Sequence, residues 1–148
     1  MKKIVETILL AYLCLFMVTG CDTYKKIDFE VQTEDKISIQ LRTNDKYDVT
    51  KNLPFIITKE EETISQGTFI TLEEYNLYVE AAKSNENITI IAEKEKDNLE
   101  YVFYSHNDSE YNYIIKIKNS NTGILLVNTV SQESEEACFK ELKISKKS

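Results

Sequence analysis

The chain has 148 residues and a formal net charge of −7, with only three glycines, one proline and no tryptophan. Its length is typical of one domain, and 42% hydrophobic residues are enough for a core. Nine tyrosines and six phenylalanines argue against disorder, and the negative charge argues against a nucleic-acid-binding protein, which needs clustered Lys and Arg. One histidine and three cysteines offer few metal or redox ligands, so we expect no cofactor and no metal.

The first twenty residues have the pattern of a secretory signal peptide. Lys2 and Lys3 precede an apolar run of eleven residues, 8–18, that carries no charge. This run is too short to span a bilayer, which takes about 20 apolar residues. A basic start, a short apolar run and small residues at its end are typical of a cleaved signal. We therefore predict that residues 1–20 are removed.

The apolar run ends in Val18, Thr19, Gly20 and Cys21, which resembles the lipobox of bacterial lipoproteins. The resemblance implies that the Cys21 thiol receives a diacylglyceryl group, that cleavage falls between Gly20 and Cys21, and that the new amino terminus is acylated, for example with palmitate. Two or three acyl chains hold a protein stably on a membrane. We expect a lipid-anchored protein on the cell membrane, facing outside the cytoplasm at the cell surface or in the periplasm. The alternatives are a plain signal peptide with an accidental cysteine, or a free signal anchor.

Cleavage changes the charge and the cysteine count. It leaves 128 residues and removes Lys2, Lys3 and Glu6, so 18 basic and 25 acidic side chains become 16 and 24, a net charge of −8. Cys14 leaves with the signal and Cys21 is acylated, so Cys138 is the remaining free thiol and no intramolecular disulfide can form. A short polar tether, residues 21–26, is expected to precede a single domain over residues 27–148.

Alternating apolar and polar residues predict strands in the first half of the domain. Residues 27–31 and 37–41 alternate and read as a strand pair joined by a loop at residues 32–36. Residues 53–58 are expected to form an edge strand, because Pro54 cannot donate a backbone hydrogen bond. Residues 63–70 predict another short strand, with Gly67 at a bend or bulge.

The period then changes to that of a helix. Thr71 and Glu74 fit a capping box, and apolar residues at helical spacing predict a helix from Leu72 to about Lys83, ending at residues 84–85. Short polar links separate the segments that follow, which favours an antiparallel meander before a last helix over residues 132–145. The meander strands are expected at residues 88–93, 99–104, 111–118 and 124–130. The predicted class is α+β, an antiparallel sheet covered by helices.

The chain resembles PsbP and the bacterial DcrB-like lipoproteins in three stretches. The first is the strand pair leading to residues 54–57, and the second is the helix start at residues 72–75. The third comprises residues 101–104, residues 111–118 and the closing segment 139–145. The resemblance implies a binding or assembly module of the bacterial envelope, a photosystem or a secretion machine, and not a catalyst.

Candidate chemical groups are few. His106 lies in a predicted loop with Asp108, Ser105 and Ser109, where a base–nucleophile pair is conceivable but a solvated loop histidine is the simpler interpretation. Cys138 is interpreted as a small buried hydrophobe, with a reactive thiol or an intermolecular disulfide as alternatives that require exposure. Calcium is conceivable at residues 107–110 or 119–121, although neither has the EF-hand pattern and polar turns explain both.

Tyrosines are the most notable surplus. Tyr111 and Tyr113 share one strand face, and with Tyr101 they would form an exposed aromatic patch suited to a protein or glycan partner. The alternative is that a helix covers these rings.

These observations favour a membrane-anchored envelope lipoprotein that is not an enzyme and binds a protein partner, as an assembly factor, inhibitor or immunity protein. The alternative is a lipoprotein that binds or hydrolyses cell wall or glycan, which requires a deep pocket with converging polar groups.

Overall fold

Two antiparallel sheets and two α-helices make up the computed structural model, which describes residues 20–148. The predicted α+β class is therefore correct in its coarse form. The elements in chain order are β1 (Tyr24–Glu30), β2 (Lys36–Arg42), β3 (Tyr47–Val49), β4 (Phe55–Lys59), β5 (Glu62–Thr71), α1 (Leu72–Ser84), β6 (Ile88–Lys96), β7 (Leu99–His106), β8 (Glu110–Ile117), β9 (Thr122–Asn128), α2 (Gln132–Glu141) and β10 (Leu142–Lys146).

The smaller sheet has three strands in the order β1-β2-β10. The predicted strand pair forms its first two strands, but β1 begins earlier than expected. Tyr24 pairs with Arg42 and Lys26 with Gln40, so the polar tether predicted for residues 21–26 is reduced to the residues before Tyr24. Backbone pairing with β2 explains the difference, because exposed polar side chains do not prevent a strand from hydrogen-bonding to its neighbour.

The last predicted helix, residues 132–145, is too long. Helix α2 ends at Glu141, and Leu142–Lys146 forms β10 instead. In β10 the buried residues Leu142 and Ile144 alternate with exposed neighbours and pair with Leu41 and Ile39 of β2. A strand buries these two side chains on one face of the sheet, whereas in a continued helix they would point about 160° apart.

The larger sheet has seven strands in the order β3-β4-β5-β9-β8-β7-β6. The four-strand meander expected after the first helix is present as β6 to β9. Strand β4 is not the edge strand that Pro54 suggested, because the first paired residue is Phe55 and the short strand β3 lies on its outer side. Pro54 thus stands just outside the ladder, where its missing N–H costs nothing.

Gly67 lies inside β5 and makes room for an aromatic ring. The register shift between β4 and β5 falls between Ile57 and Thr58, so Gly67 is not at the bulge. A Cβ placed on Gly67 would lie 1.9 Å from Cζ of Phe55, which is fully buried. Glycine is required here for close approach of a side chain to the strand.

Helix α1 begins as predicted. The Thr71 hydroxyl accepts from the Glu74 N–H at 3.1 Å, and the Glu74 carboxylate accepts from the Thr71 N–H at 2.7 Å, completing the capping box. The helix packs through Ala82 against Ile70 and Ile114 on one face of the larger sheet.

The opposite face of the larger sheet carries the main core. Its buried side chains meet those of the smaller sheet and of α2, and Phe29, Phe55 and Phe69 form a cluster with ring centroids 5.2–5.8 Å apart. The expectation that helices cover the sheet is therefore incorrect for this face, since the three-stranded sheet covers much of it. Contact between the two sheets buries the apolar side chains that each sheet carries on its facing side.

Candidate functional site

The predicted attachment residue, Cys21, lies at the start of the described residues and is exposed. Its carbonyl oxygen accepts a hydrogen bond from Asn44 Nδ2 at 3.3 Å, and Asn44 Oδ1 accepts from the Thr23 N–H at 2.8 Å. The Thr43 N–H in turn donates to the Thr23 carbonyl at 2.8 Å. Residues 21–23 are thus held against the turn that links β2 to β3.

Arg42 connects this segment to the end of α2. Its Nε donates to Asp22 at 2.9 Å and its Nη1 donates to Glu141 at 3.4 Å. One guanidinium therefore joins the residue after Cys21, the end of β2 and the last turn of the second helix, as its fork of donors allows.

The remainder of the predicted signal, residues 1–19, lies outside the described residues. Gly20, on the amino-terminal side of the predicted cleavage point, is exposed. Within residues 20–148, no helix has both the length and the apolar character needed to cross a bilayer.

The three tyrosines proposed as a partner-binding patch do not form an exposed surface. Tyr113 is 4% exposed and stacks between Phe103 and Phe139, with centroid distances of 4.2 and 4.0 Å. Tyr101 is half-buried, with its ring centroid 4.9 Å from that of Phe139. The alternative, that a helix covers the rings, is what the structure has, because Phe139 belongs to α2. Burial raises the pKa of Tyr113 far above its ordinary value.

Tyr111 is half-buried beside the same cluster, and its hydroxyl donates to the Asp108 carbonyl at 3.1 Å. Tyr111 therefore stabilises the turn between β7 and β8 through its hydroxyl.

His106 does not join Asp108 and the two serines in a base–nucleophile arrangement. Its Nδ1 lies 3.6 Å from a carboxylate oxygen of Glu110, across the end of the β7–β8 hairpin. Ser109 Oγ donates to the His106 carbonyl and Ser105 Oγ donates to Asp108. The serine hydroxyls therefore serve turn hydrogen bonds, as short polar side chains commonly do.

Cys138 is fully buried in the core, on the inner face of α2. Burial raises the pKa of its thiol well above the ordinary value, which disfavours the reactive thiolate. An intermolecular disulfide would need an exposed sulfur, so the structure favours the interpretation as a small hydrophobe.

Glu135 is the titratable residue that sequence reasoning missed. Its side chain is fully buried on α2, where Ser65 Oγ donates to Oε1 at 3.5 Å and Oε2 has no hydrogen-bond partner. Burial raises the pKa of this carboxyl from 4.5 to about 8. Its position was visible in principle, since it stands three and four residues before the apolar pair Cys138 and Phe139 and so shares their helix face.

A surface groove lies near the far end of β1. It has a volume of about 330 Å³, and Leu53 at its rim is 63% exposed. This Leu53 groove is lined by Glu30, Val31, Gln32, Leu53, Pro54, Thr68 and Phe69.

The two turns considered for calcium contribute no cluster of ligands. In the part of the chain that the structure describes, no group of three or more His, Cys, Asp or Glu side chains is placed to hold a metal ion.

Comparison with protein-family models, with curated proteins and with solved structures gives no significant match to this chain.

Proposed function

We propose that the protein is a bacterial envelope lipoprotein, anchored by lipid on Cys21 after cleavage behind Gly20 and facing outside the cytoplasm. The observation that carries the proposal is the lipobox-like sequence at residues 18–21, placed where a short apolar run ends. Its position relative to the fold supports it as well. Cys21 is exposed and lies three residues before the first strand, so an enzyme that modifies it would not have to unfold the domain.

Replacement of Cys21 by Ala tests the anchor. We expect the full chain to sediment with membranes and to carry the mass of a diacylglyceryl group, whereas C21A is released or accumulates as an uncleaved precursor. C138A is the matched control, because it removes the other thiol of the mature chain and leaves Cys21 in place. A mature amino terminus at Cys21 with no added mass would refute lipidation.

We further propose that the domain is a non-catalytic module that binds a protein partner. The Leu53 groove supports this role, because it brings the apolar side chains of Val31, Pro54 and Leu53, the last of them 63% exposed, together at the surface. Because the predicted tyrosine patch is not an exposed surface, we propose the Leu53 groove as the binding surface instead.

Photo-crosslinking tests the groove. A photoreactive amino acid at Gln32, on the groove wall, is expected to give one discrete adduct in intact cells. Leu53→Asp should abolish that adduct. Leu77→Asp is the matched control, since Leu77 is 60% exposed on α1, away from the groove lining. An adduct that survives L53D, or is lost equally with L77D, would contradict the assignment.

A relationship to the PsbP and DcrB-like domains belongs to the same proposal. It is supported by the order of an amino-terminal strand pair, helix α1, the β6–β9 meander and helix α2. Strand β10, which returns to pair with β2, has no counterpart in the order predicted from the sequence.

A further inference from the structure

We propose that the fold itself orients the domain on the membrane, with the β2–β3 turn (residues 43–46) against the lipid headgroups and the β1–β2 turn (residues 31–35) directed away from them. The inference rests on the proposed lipid anchor at Cys21. It goes beyond that anchor because attachment alone leaves the orientation of a domain open.

The first step concerns slack between the lipid and the fold. The backbone groups of a flexible tether bond mainly to water, so a domain on such a tether can rotate freely relative to the membrane. Here the carbonyl of Cys21 itself is bonded to Asn44, and the backbone of Thr23 is bonded on both sides, to Asn44 and to Thr43. No free residue remains between the acylated residue and the ordered backbone.

The second step concerns direction. The β1–β2 hairpin starts beside Cys21 and carries its turn at the other end, where Glu30 pairs with Lys36. A strand rises by about 3.3 Å per residue, so the seven residues of β1 separate the two ends by roughly 20 Å. A lipid fixed at Cys21 therefore places residues 43–46 within reach of the headgroups and residues 31–35 well above them.

The third step concerns charge, since the mature domain is acidic. Near Cys21 two acidic side chains are paired, Asp22 with Arg42 at 2.9 Å and Asp48 with Lys25 at 2.6 Å, whereas the exposed Asp45 has no ion-pair partner among residues 20–148. Paired carboxylates weaken the repulsion that anionic headgroups would exert on this end of the domain.

The neighbouring side chains also suit a lipid interface. Lys143 Nζ lies 4.7 Å above the ring of Tyr24, which is 41% exposed. A tyrosine ring with a lysine over it offers an apolar body and a polar tip, which is the combination that resides at headgroup depth. The surface formed by Tyr24, Lys143 and residues 43–46 therefore fits a bilayer surface as its partner.

Fluorescence quenching of single labels tests the orientation. Full-length chain is purified from bacterial membranes and reconstituted in vesicles of phosphatidylethanolamine and phosphatidylglycerol that contain a nitroxide-headgroup lipid. The labels are placed at Asp45→Cys or Gln32→Cys, two exposed positions that lie beyond opposite ends of β2. Cys138 is buried, and the unmutated protein measures its residual labelling.

We expect severalfold stronger quenching at position 45 than at position 32. An insertion of about ten Gly and Ser residues after Cys21, with a root-mean-square length of roughly 17 Å, should make the two positions similar by restoring slack. Equal quenching at both positions in the uninserted protein, with lipid mass on Cys21 and flotation with vesicles intact, would overturn the orientation and leave the anchor standing. A protein without lipid mass that fails to float would refute the anchor, and the orientation with it.

Discussion

Gly67→Ala is the sharpest test of the packing between the two sheets. In the structure the Phe55 ring lies against the backbone of β5, and the Cβ of an alanine at position 67 would meet Cζ at 1.9 Å and both Cε atoms at 2.4 Å. Carbon atoms in contact are normally about 3.5–4.0 Å apart, so the ring would have to retreat by about 1.5–2 Å. Phe29 and Phe69 pack against the Phe55 ring, with centroids 5.8 and 5.6 Å away, and restrict the space into which it could move.

The expected cost follows from two opposing contributions. Overpacking of a well-filled core typically destabilises by about 1–3 kcal/mol, and this overlap belongs at the upper end. Alanine recovers about 0.5–1 kcal/mol relative to glycine, because glycine loses more backbone freedom on folding. We therefore expect the free energy of unfolding to fall by about 2 kcal/mol, which in a domain of this size lowers Tm by roughly 8 °C.

Urea denaturation of purified protein, followed by circular dichroism, measures this loss. Gln66→Ala is the matched control in the next residue, which is exposed, and should change stability by less than about 0.5 kcal/mol. Phe55→Leu in the Gly67→Ala protein should recover part of the loss, so that the double variant is more stable than the sum of the single losses predicts. Additive effects, or a stable Gly67→Ala protein, would show that the ring does not occupy the space above Gly67.

Three further predictions address polar groups that the core holds. Lys96→Met removes the ammonium that donates at 2.8, 3.3 and 3.1 Å to three carbonyls at the end of α2, and should lower the free energy of unfolding by about 1–3 kcal/mol in urea titrations. Glu135 has a folded-state pKa of about 8 against an ordinary 4.5, so its contribution is complete below about pH 4.5 and is lost as pH rises toward 8, by up to about 1.4 kcal/mol per pH unit. Glu135→Gln should flatten this decline of the free energy of unfolding with pH, measured in urea titrations at successive pH values, whereas the exposed Glu136→Gln should not. An unchanged pH slope in Glu135→Gln would contradict burial of the Glu135 carboxyl. Asp35, which is 6% exposed, accepts a hydrogen bond from Lys146 at 2.7 Å. Burial raises the pKa of its carboxyl, but this bond and its other hydrogen bonds outweigh burial and lower the pKa. Asp35→Asn should therefore lower the free energy of unfolding by about 2 kcal/mol at pH 7, and by progressively less as pH falls below 4.

The sequence predicted those elements whose cause is local. The capping box at Thr71 and Glu74 depends on residues three apart, and it fixed the start of α1 correctly. Short polar links between apolar segments located the four strands of the meander, because such links are typical of turns between neighbouring antiparallel strands.

Elements whose cause lies elsewhere in the chain were missed. Strand β10 depends on its pairing with β2, about a hundred residues earlier in the chain. The apolar alternation of Leu142 and Ile144 is too short to predict a strand from the sequence. Strand β3 has three residues and forms because β4 lies beside it. Segments this short take the structure that their neighbours impose, so sequence periodicity alone cannot assign them.

The candidate sites divide in the same way. The exposure of a tyrosine depends on what packs over it, and the sequence of β8 does not show that Phe139 covers Tyr113. Glu135 lies in the first turn of α2, where an acidic side chain suits the helix dipole. The structure adds that this turn is pressed against the core, so the same carboxyl is buried and its pKa rises.

Strand β2 connects the proposed anchor to the centre of the molecule. It pairs with β1 on one side and with β10 on the other, and its residues Ile37, Ile39 and Leu41 are fully buried. Arg42 at its end holds both Asp22 and Glu141, so the segment after Cys21 is joined to the strand and to the second helix at one point. Residues 21–23 can leave this position only by breaking their hydrogen bonds to Arg42, Thr43 and Asn44. The proposed orientation of the anchored domain therefore depends on the polar groups at the end of β2 and not on the lipid alone.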